Sequence, residues 1–148
     1  ANDNSNGQIV LSGRNDELKK MVEILKFKNI KNVKLPVSAP FHCKLMKKAT
    51  ENMRDKIMNL NFNNIKNPLI SNFNAKPSIS GLEIKDLLVS QIEGKVRWLE
   101  SIEFMINEGT KNFIEIGPGK VLSGLIKRIN KNANIKSINN EEDIKELN

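Results

Sequence analysis

Strand-like and helix-like stretches alternate along this 148-residue chain, and the alternation predicts an α/β fold with mainly parallel pairing. Three observations carry that prediction. Short apolar runs such as Ile9-Val10-Leu11 and Phe113-Ile114-Glu115-Ile116 end at turn residues, Ser12-Gly13 and Gly117-Pro118-Gly119. Between such runs lie segments whose apolar residues recur at helical spacing, as in Leu18, Met21, Val22 and Leu25. Helix signals also fall where they are needed: Ser80-Gly81-Leu82-Glu83 fits a capping box, and Gly109 fits a left-handed helix stop.

The first strand, at 9–11, leads into a helix that Asn15 or Asp16 can cap, with lysines opposite its apolar stripe. Val33, Leu35 and Val37 then alternate as a half-buried strand does, and Pro36 marks it as an edge strand or one about to end. After Pro40-Phe41-His42 a second helix places Leu45, Met46, Ala49, Met53, Ile57 and Leu60 on one face. A strand follows at 68–72, and then the helix opened by Ser80, which runs through Leu87, Leu88 and Gln91. Trp98, Ile102, Met105 and Ile106 mark a fourth helix. The strand at 113–116 turns through Gly117-Pro118-Gly119 into a helix bearing Val121, Leu122, Leu125, Ile126 and Ile129. A last strand is expected at 135–138 and a final helix at 141–147. There is no internal repeat.

Composition narrows the function classes. One Cys rules out a disulfide framework, and one His with one Cys rules out a Cys/His zinc cluster. No apolar run approaches the roughly 20 residues of a membrane span, and nothing at the start reads as a signal peptide. A soluble, intracellular-type domain is the expectation. Asn, Lys and Ile make up 60 of the 148 residues, an excess that AT-rich codons alone would produce. The net charge of +7 is therefore a weak pointer to nucleic acid, but its distribution is informative. From Lys19 to Lys48 there are nine lysines and one acid, Glu23, a patch suited to steering an acidic partner or phosphates. The competing reading is a solvated helix face.

In parallel sheets, function gathers at the carboxyl ends of strands, which here singles out 38–42 and 117–119. His42 is the chain's one histidine, and histidine is the residue type whose unperturbed pKa of about 6.5 suits acid/base work near neutrality. Cys43 beside it is not expected to form a Cys-His nucleophile pair with it, because adjacent residues on a helix point about 100° apart. Gly117-Pro118-Gly119-Lys120 lacks both phosphate-loop spacings and reads as a tight strand-to-helix turn whose helix N-terminus can lie near an active site. Arg97-Trp98 reads as core packing with an ion pair. No G-x-S-x-G nucleophile elbow occurs anywhere.

Four strings, in order and in register over roughly residues 1–130, carry a resemblance. They are Asn4-Ser5-Asn6-Gly7-Gln8-Ile9-Val10-Leu11-Ser12-Gly13, Leu35-Pro36-Val37-Ser38-Ala39-Pro40-Phe41-His42, Val96-Arg97-Trp98, and Phe113-Ile114-Glu115-Ile116-Gly117-Pro118-Gly119-Lys120-Val121-Leu122-Ser123-Gly124-Leu125. The chain resembles the malonyl-CoA:acyl carrier protein transacylases of type II fatty acid synthesis and, more distantly, the acyltransferase domains of polyketide and animal fatty acid synthases. Asn6 stands where the family usually has Pro, a change confined to a turn.

The resemblance implies part of an α/β-hydrolase-like acyltransferase domain. Residues 1–37 would be the remainder of a ferredoxin-like small subdomain, and 38–148 the C-terminal part of the large one. The family is about twice this length, so its G-H-S-x-G serine and its carboxylate-binding arginine would lie upstream, in an N-terminal half. His42 matches the catalytic histidine. Gln91 matches the residue whose main-chain carbonyl orients it. Phe41 matches a position that accompanies malonyl selection in the multidomain relatives, and Asn4 lies in a strip near the cleft. The implied reaction moves malonyl from CoA to the phosphopantetheine thiol of acyl carrier protein through an acyl-serine, with no metal or other cofactor and no nucleic-acid or membrane partner. The alternative is a non-catalytic basic module binding acyl carrier protein or nucleic acid. Half of a wound sheet should leave strand edges and apolar surface uncovered. A cytoplasmic location follows if the source is bacterial, and the AT-rich coding suggests a plastid-type organelle.

Overall fold

The structure, a computed structural model, describes residues 1–145. It opens with a hairpin of β1 (Asn2–Ser5) and β2 (Gln8–Val10), turned by Asn6 and Gly7. Gly7 has φ +80°, a conformation that costs glycine little and side-chain-bearing residues more. Asp3 lies opposite Ile9 and Ser5 opposite Gln8, so Asn4 is bulged out of the ladder. The other edge of β1 runs parallel to Val96, with Asp3 N–H donating to the Val96 carbonyl at 2.8 Å.

Helix α1 (Asn15–Phe27) forms as the spacing predicts, but its cap does not. Arg14, in extended conformation, is the N-cap residue, and Asn15 is already helical. The first-turn acids Asp16 and Glu17 instead complement the positive end of the helix. No residue of α1 is buried, and Phe27 is 88% exposed.

The strand expected at Val33, Leu35 and Val37 does not form. Alternation supplies side chains for a sheet but not a ladder partner. All three are exposed, Val33 to 76%, and Val37 N–H bonds the Leu35 carbonyl two residues back. The pairing is also less parallel than expected. β3 (Leu69–Ile70) and β4 (Pro77–Ser78) are a short antiparallel pair, leaving β5 (Asn112–Ile116) and β6 (Asn134–Ile138) as the one parallel pair of named strands among the described residues.

A single 3₁₀ turn, Lys44–Met46, precedes α2 (Lys47–Met58), which packs antiparallel against α3 (Gly81–Glu93). Ser80 caps α3, accepting from Glu83 N–H at 3.4 Å. The reciprocal arm of the box is diverted, since the Glu83 carboxylate takes the Ser78 hydroxyl. Near the other end of α2, Lys85 Nζ donates to the Met58 carbonyl, and Gly81 N–H donates to Asn64 Oδ1. Helix α4 (Trp98–Asn107) closes with a Schellman pattern at Gly109, whose φ is +92°. Thr110 N–H reaches the Met105 carbonyl and Gly109 N–H the Ile106 carbonyl.

The core lies between α4, α5 (Val121–Ile129) and the β5–β6 pair, where Ile102, Ile126 and Ala133 are packed by Trp98, Met105, Ile106, Phe113, Ile129 and Ile135. A short α6 (Glu141–Lys145) follows β6, and the end of the helix expected at 141–147 lies outside the described residues. Beyond this core much apolar surface is open. Ile116 is 80% exposed at the end of β5, and Ile9, Leu11, Ile24 and Leu60 are also exposed. Among the described residues no helix is long and apolar enough to cross a membrane.

Gly81 allows the start of α3 to touch the 62–63 backbone, since a Cβ there would sit 2.3 Å from the Phe62 carbonyl oxygen. Gly81→Ala is therefore expected to destabilise the fold by about 1–3 kcal/mol, as overpacking against rigid backbone does. A lowered denaturation midpoint with an unchanged denaturant slope would register it.

Candidate functional site

Three successive residues have side chains with different duties at the loop before α2. Phe41 is 48% exposed, whereas His42 and Cys43 are half-buried. His42 has φ +58°, a left-handed conformation that costs a non-glycine residue about 1–2 kcal/mol. Such strain persists only where the surroundings fix it, and it clusters at working sites.

One fixing contact is to α3. His42 Nδ1 lies 3.0 Å from the main-chain carbonyl oxygen of Gln91. A carbonyl only accepts, so Nδ1 carries the proton and donates, which leaves the Nε2 lone pair free. The carbonyl is available because of how α3 ends. Gly94 leaves the helix in extended conformation (φ −80°, ψ 148°), and its N–H closes the last helical bond, to the Ser90 carbonyl. Gln91 thus contributes one of the carbonyls that a helix end leaves without an intrahelical partner. A side chain at 94 would drive its Cβ to 2.3 Å from the Phe73 ring.

A second fixing contact runs through Cys43. Its thiol donates to the Pro40 carbonyl at 3.1 Å and receives the Ser12 hydroxyl at 3.6 Å. The antiparallel packing of α2 on α3 explains why these parts meet: with Met58 at α2's far end bonded to Lys85 near the start of α3, the near end of α2 lies toward Gln91.

Of the four residues singled out from the sequence, the structure joins His42 and Gln91, with Phe41 adjoining in the chain. Asn4, bulged and half-buried in β1, has no hydrogen bond to His42 among the described residues. The Gly117-Pro118-Gly119 turn is at the carboxyl end of β5 as expected, with Gly117 and Gly119 at φ +139° and +93°. The N-terminus of its helix is already filled. The Glu115 carboxylate accepts from Leu122 N–H, Ser123 N–H and the Ser123 hydroxyl, and Asn139 Oδ1 accepts from Gly119 N–H. Arg97 bears out the ion-pair reading, gripping Glu100 through Nε at 2.9 Å and a second guanidinium nitrogen. Lys95 adds contacts to Glu100 and Asp3.

Ser12, Gly94 and Glu115 were not singled out as parts of a site. Ser12 and Gly94 act through residues distant in sequence, which no local pattern reveals. Glu115, seven residues before Leu122, left a legible signal in its place on the strand feeding the glycine turn. Among the described residues no group of three or more His, Cys, Asp or Glu is placed to hold a metal ion.

No family model matches the chain. It is 42% identical over 146 residues to the malonyl CoA-acyl carrier protein transacylase of Staphylococcus aureus, covering 98% of this chain and 47% of that protein. The Escherichia coli protein of the same name is 38% identical over 129 residues, covering 86% of this chain and 42% of its own length. A crystal structure of acyl-carrier-protein-S-malonyltransferase from Bartonella henselae superposes with a TM-score of 0.93 at 41% identity, over 99% of this chain and 47% of that one. The chain spans about half the length of the curated relatives it matches.

The bonds to Ser123 and Leu122 hold the Glu115 carboxyl below the usual carboxylate range. A lowered folded-state pKa means that stability is present above the unfolded value of about 4.3 and is lost as pH falls through the folded one. Glu115→Gln should therefore lower the unfolding midpoint at pH 6–7, and its difference from the parent should shrink on acidification below about pH 4.3. Parallel thermal melts of both proteins across that range would check it.

Proposed function

Since the curated homologues of this chain are malonyl CoA-acyl carrier protein transacylases, which are acyltransferases, and the chain is an α/β fragment matching about half their length, we propose that it is the C-terminal, histidine-bearing half of such an enzyme. The observation that carries this reading is the bond from His42 Nδ1 to the Gln91 carbonyl. It fixes the tautomer a general base needs, with Nε2 as the accepting atom.

In the proposed reaction Nε2 takes the proton of a serine hydroxyl supplied by the N-terminal half as its oxygen attacks the malonyl thioester. The imidazolium then gives that proton to the departing CoA sulfur. The reverse sequence, with the phosphopantetheine thiol of acyl carrier protein as nucleophile, completes the transfer. The Gln91 carbonyl lies at the negative end of the α3 dipole, so it favours the positive charge that the ring gains at each step. No metal or redox group has a part in these steps.

Phe41 would place its ring beside the acyl group and disfavour an α-methyl branch, selecting malonyl over methylmalonyl. Asn4, turned out by its bulge, is assigned to the cleft wall. In this reading residues 1–37 belong to a small ferredoxin-like subdomain and 38–148 to the large one, which accords with the absence of any buried residue in α1. The N-terminal half would cover the open apolar surface around Ile116 and Leu11. The named relatives are bacterial, so the cytoplasm is the proposed location, and a plastid-type organelle the second one.

The nine lysines between Lys19 and Lys48 are all exposed, which suits recruitment of acidic carrier protein and of CoA phosphates.

Malonyl transfer measured with this chain and the serine-bearing half together tests the assignment. His42→Ala should lower the rate about 10²–10⁴-fold. Gln91→Ala, which keeps the carbonyl, should stay within about tenfold of the parent. Parental transfer by a folded His42→Ala protein would overturn the reading and bring the basic binding module forward. For the lysines, raising salt from 50 to 300 mM should slow transfer to carrier protein more than hydrolysis of a small uncharged thioester. Equal slowing would remove their steering role.

A further inference from the structure

His42 is held in its left-handed conformation from two sides, and only one of them is the Gln91 carbonyl. The other is the string Ser12 Oγ to Cys43 Sγ to the Pro40 carbonyl, with contacts of 3.6 and 3.1 Å. Pro40, Phe41, His42 and Cys43 form a four-residue turn. In an ordinary β-turn the fourth residue's N–H closes back on the first carbonyl. Here Phe41 and His42 are the central residues of such a turn, and the fourth residue's thiol also donates to the first carbonyl, while its backbone is extended (φ −149°, ψ 168°) and its carbonyl accepts Met46 N–H to start the 3₁₀ turn.

The consequence is geometric. The Cys43 side chain spans the base of the turn whose third residue is His42, so loss of the thiol removes a side-chain contact that ties the Pro40 carbonyl to the residue after His42. Ser12, at the exit of the β1–β2 hairpin, anchors that thiol to a part of the chain 31 residues away.

We propose that Cys43 and Ser12 are positioning residues for His42, a thiol clamp that keeps the imidazole's Nδ1–H on the Gln91 carbonyl and so aims Nε2. This rests on the catalytic reading of His42 for its effect on rate, but not for its effect on the ring. Neither residue touches substrate in this assignment. The thiol acts as a hydrogen-bonding bridge and undergoes no chemistry.

The test uses this chain assembled with the serine-bearing half, with ¹⁵N-imidazole histidine confined to this chain, where His42 gives the one labelled ring. Parent, Cys43→Ala, Cys43→Ser and Ser12→Ala are compared. The parent should show a hydrogen-bonded, slowly exchanging Nδ1–H signal. Cys43→Ala should lose that signal to solvent exchange and lower kcat about tenfold with KM for malonyl-CoA within about twofold, since misaiming a catalytic group costs turnover rather than uniform binding. Cys43→Ser, which restores a donor and acceptor, should recover most of the signal and the rate. Ser12→Ala should fall between.

An unchanged imidazole signal in Cys43→Ala would overturn the clamp whatever the rate does, as would a Cys43→Ser protein as impaired as Cys43→Ala. Unfolding midpoints separate a local change from a damaged fold, and Ser12→Ala, the milder variant, decides the matter if Cys43→Ala does not fold. Should His42→Ala retain full transfer, the catalytic reading fails by itself, and the imidazole signal still judges the clamp.

Discussion

The site depends on one main-chain carbonyl left without a helical partner. Gln91 is four residues from where its acceptor duty would be filled in a longer helix, and Gly94 turns the chain away before that can happen. The open carbonyl then finds His42 across the α2–α3 contact. An unpartnered polar group in a half-buried place is costly, so the contact is favoured from both ends. The carbonyl regains an acceptor role, and the strained histidine gains a reason to stay strained. The close approach of Gly81 to the 62–63 backbone, the Lys85 cap on α2 and the extended Gly94 all serve the same alignment of two helices.

The rest of the molecule has the character of a surface awaiting cover. Its compact core of Ile102, Ile126 and Ala133 lies between two helices and one parallel strand pair. Outside it, residues that ordinarily drive folding face solvent, including both isoleucines of β5 and Met21, Ile24 and Phe27 of α1. Isolated exposed apolar residues are ordinary in soluble proteins, whereas apolar sheet faces and helix stripes mark interaction surfaces. The relatives are about twice as long as the matched span, and in the proposed reading this uncovered surface is an internal boundary with the N-terminal half.

What the sequence made legible, and what it hid, follows from the same distinction between local and non-local causes. Helices with strong periodicity, such as those carrying Leu18 to Leu25 and Val121 to Ile129, formed where expected, because their pattern is written within a few turns. The Gly109 stop and the strand at 113–116 were likewise local. The alternation of Val33, Leu35 and Val37 looked equally clear, yet a strand exists only with a neighbour, and none is present among the described residues. The cap of α1 moved to Arg14 because Asn15 had already taken helical angles. At the site, His42 was noticeable as the one histidine, but nothing local linked it to residue 91. That link was available only through the resemblance. Ser12, 31 positions from its thiol partner, was hidden for the same reason.

The use of a carbonyl in place of a buried carboxylate has a physical logic of its own. A carboxylate beside an imidazole strengthens the ion pair that forms on protonation, but it must be desolvated and hydrogen-bonded whenever the ring is neutral. A carbonyl at a helix C-terminus carries no net charge to bury, and it still presents the negative end of a dipole spread over the helix. It keeps the ring's orientation through both protonation states, because Nδ1 donates in each, and the bond is the stronger one when the ring is charged. It is also indifferent to the side chain that bears it. In the proposed reaction, where the imidazole gains and loses a proton twice per turnover, a support that does not itself titrate keeps the aim of Nε2 constant from step to step. Precision then rests on where helix α3 ends and on how the turn at His42 is closed, both properties of the backbone.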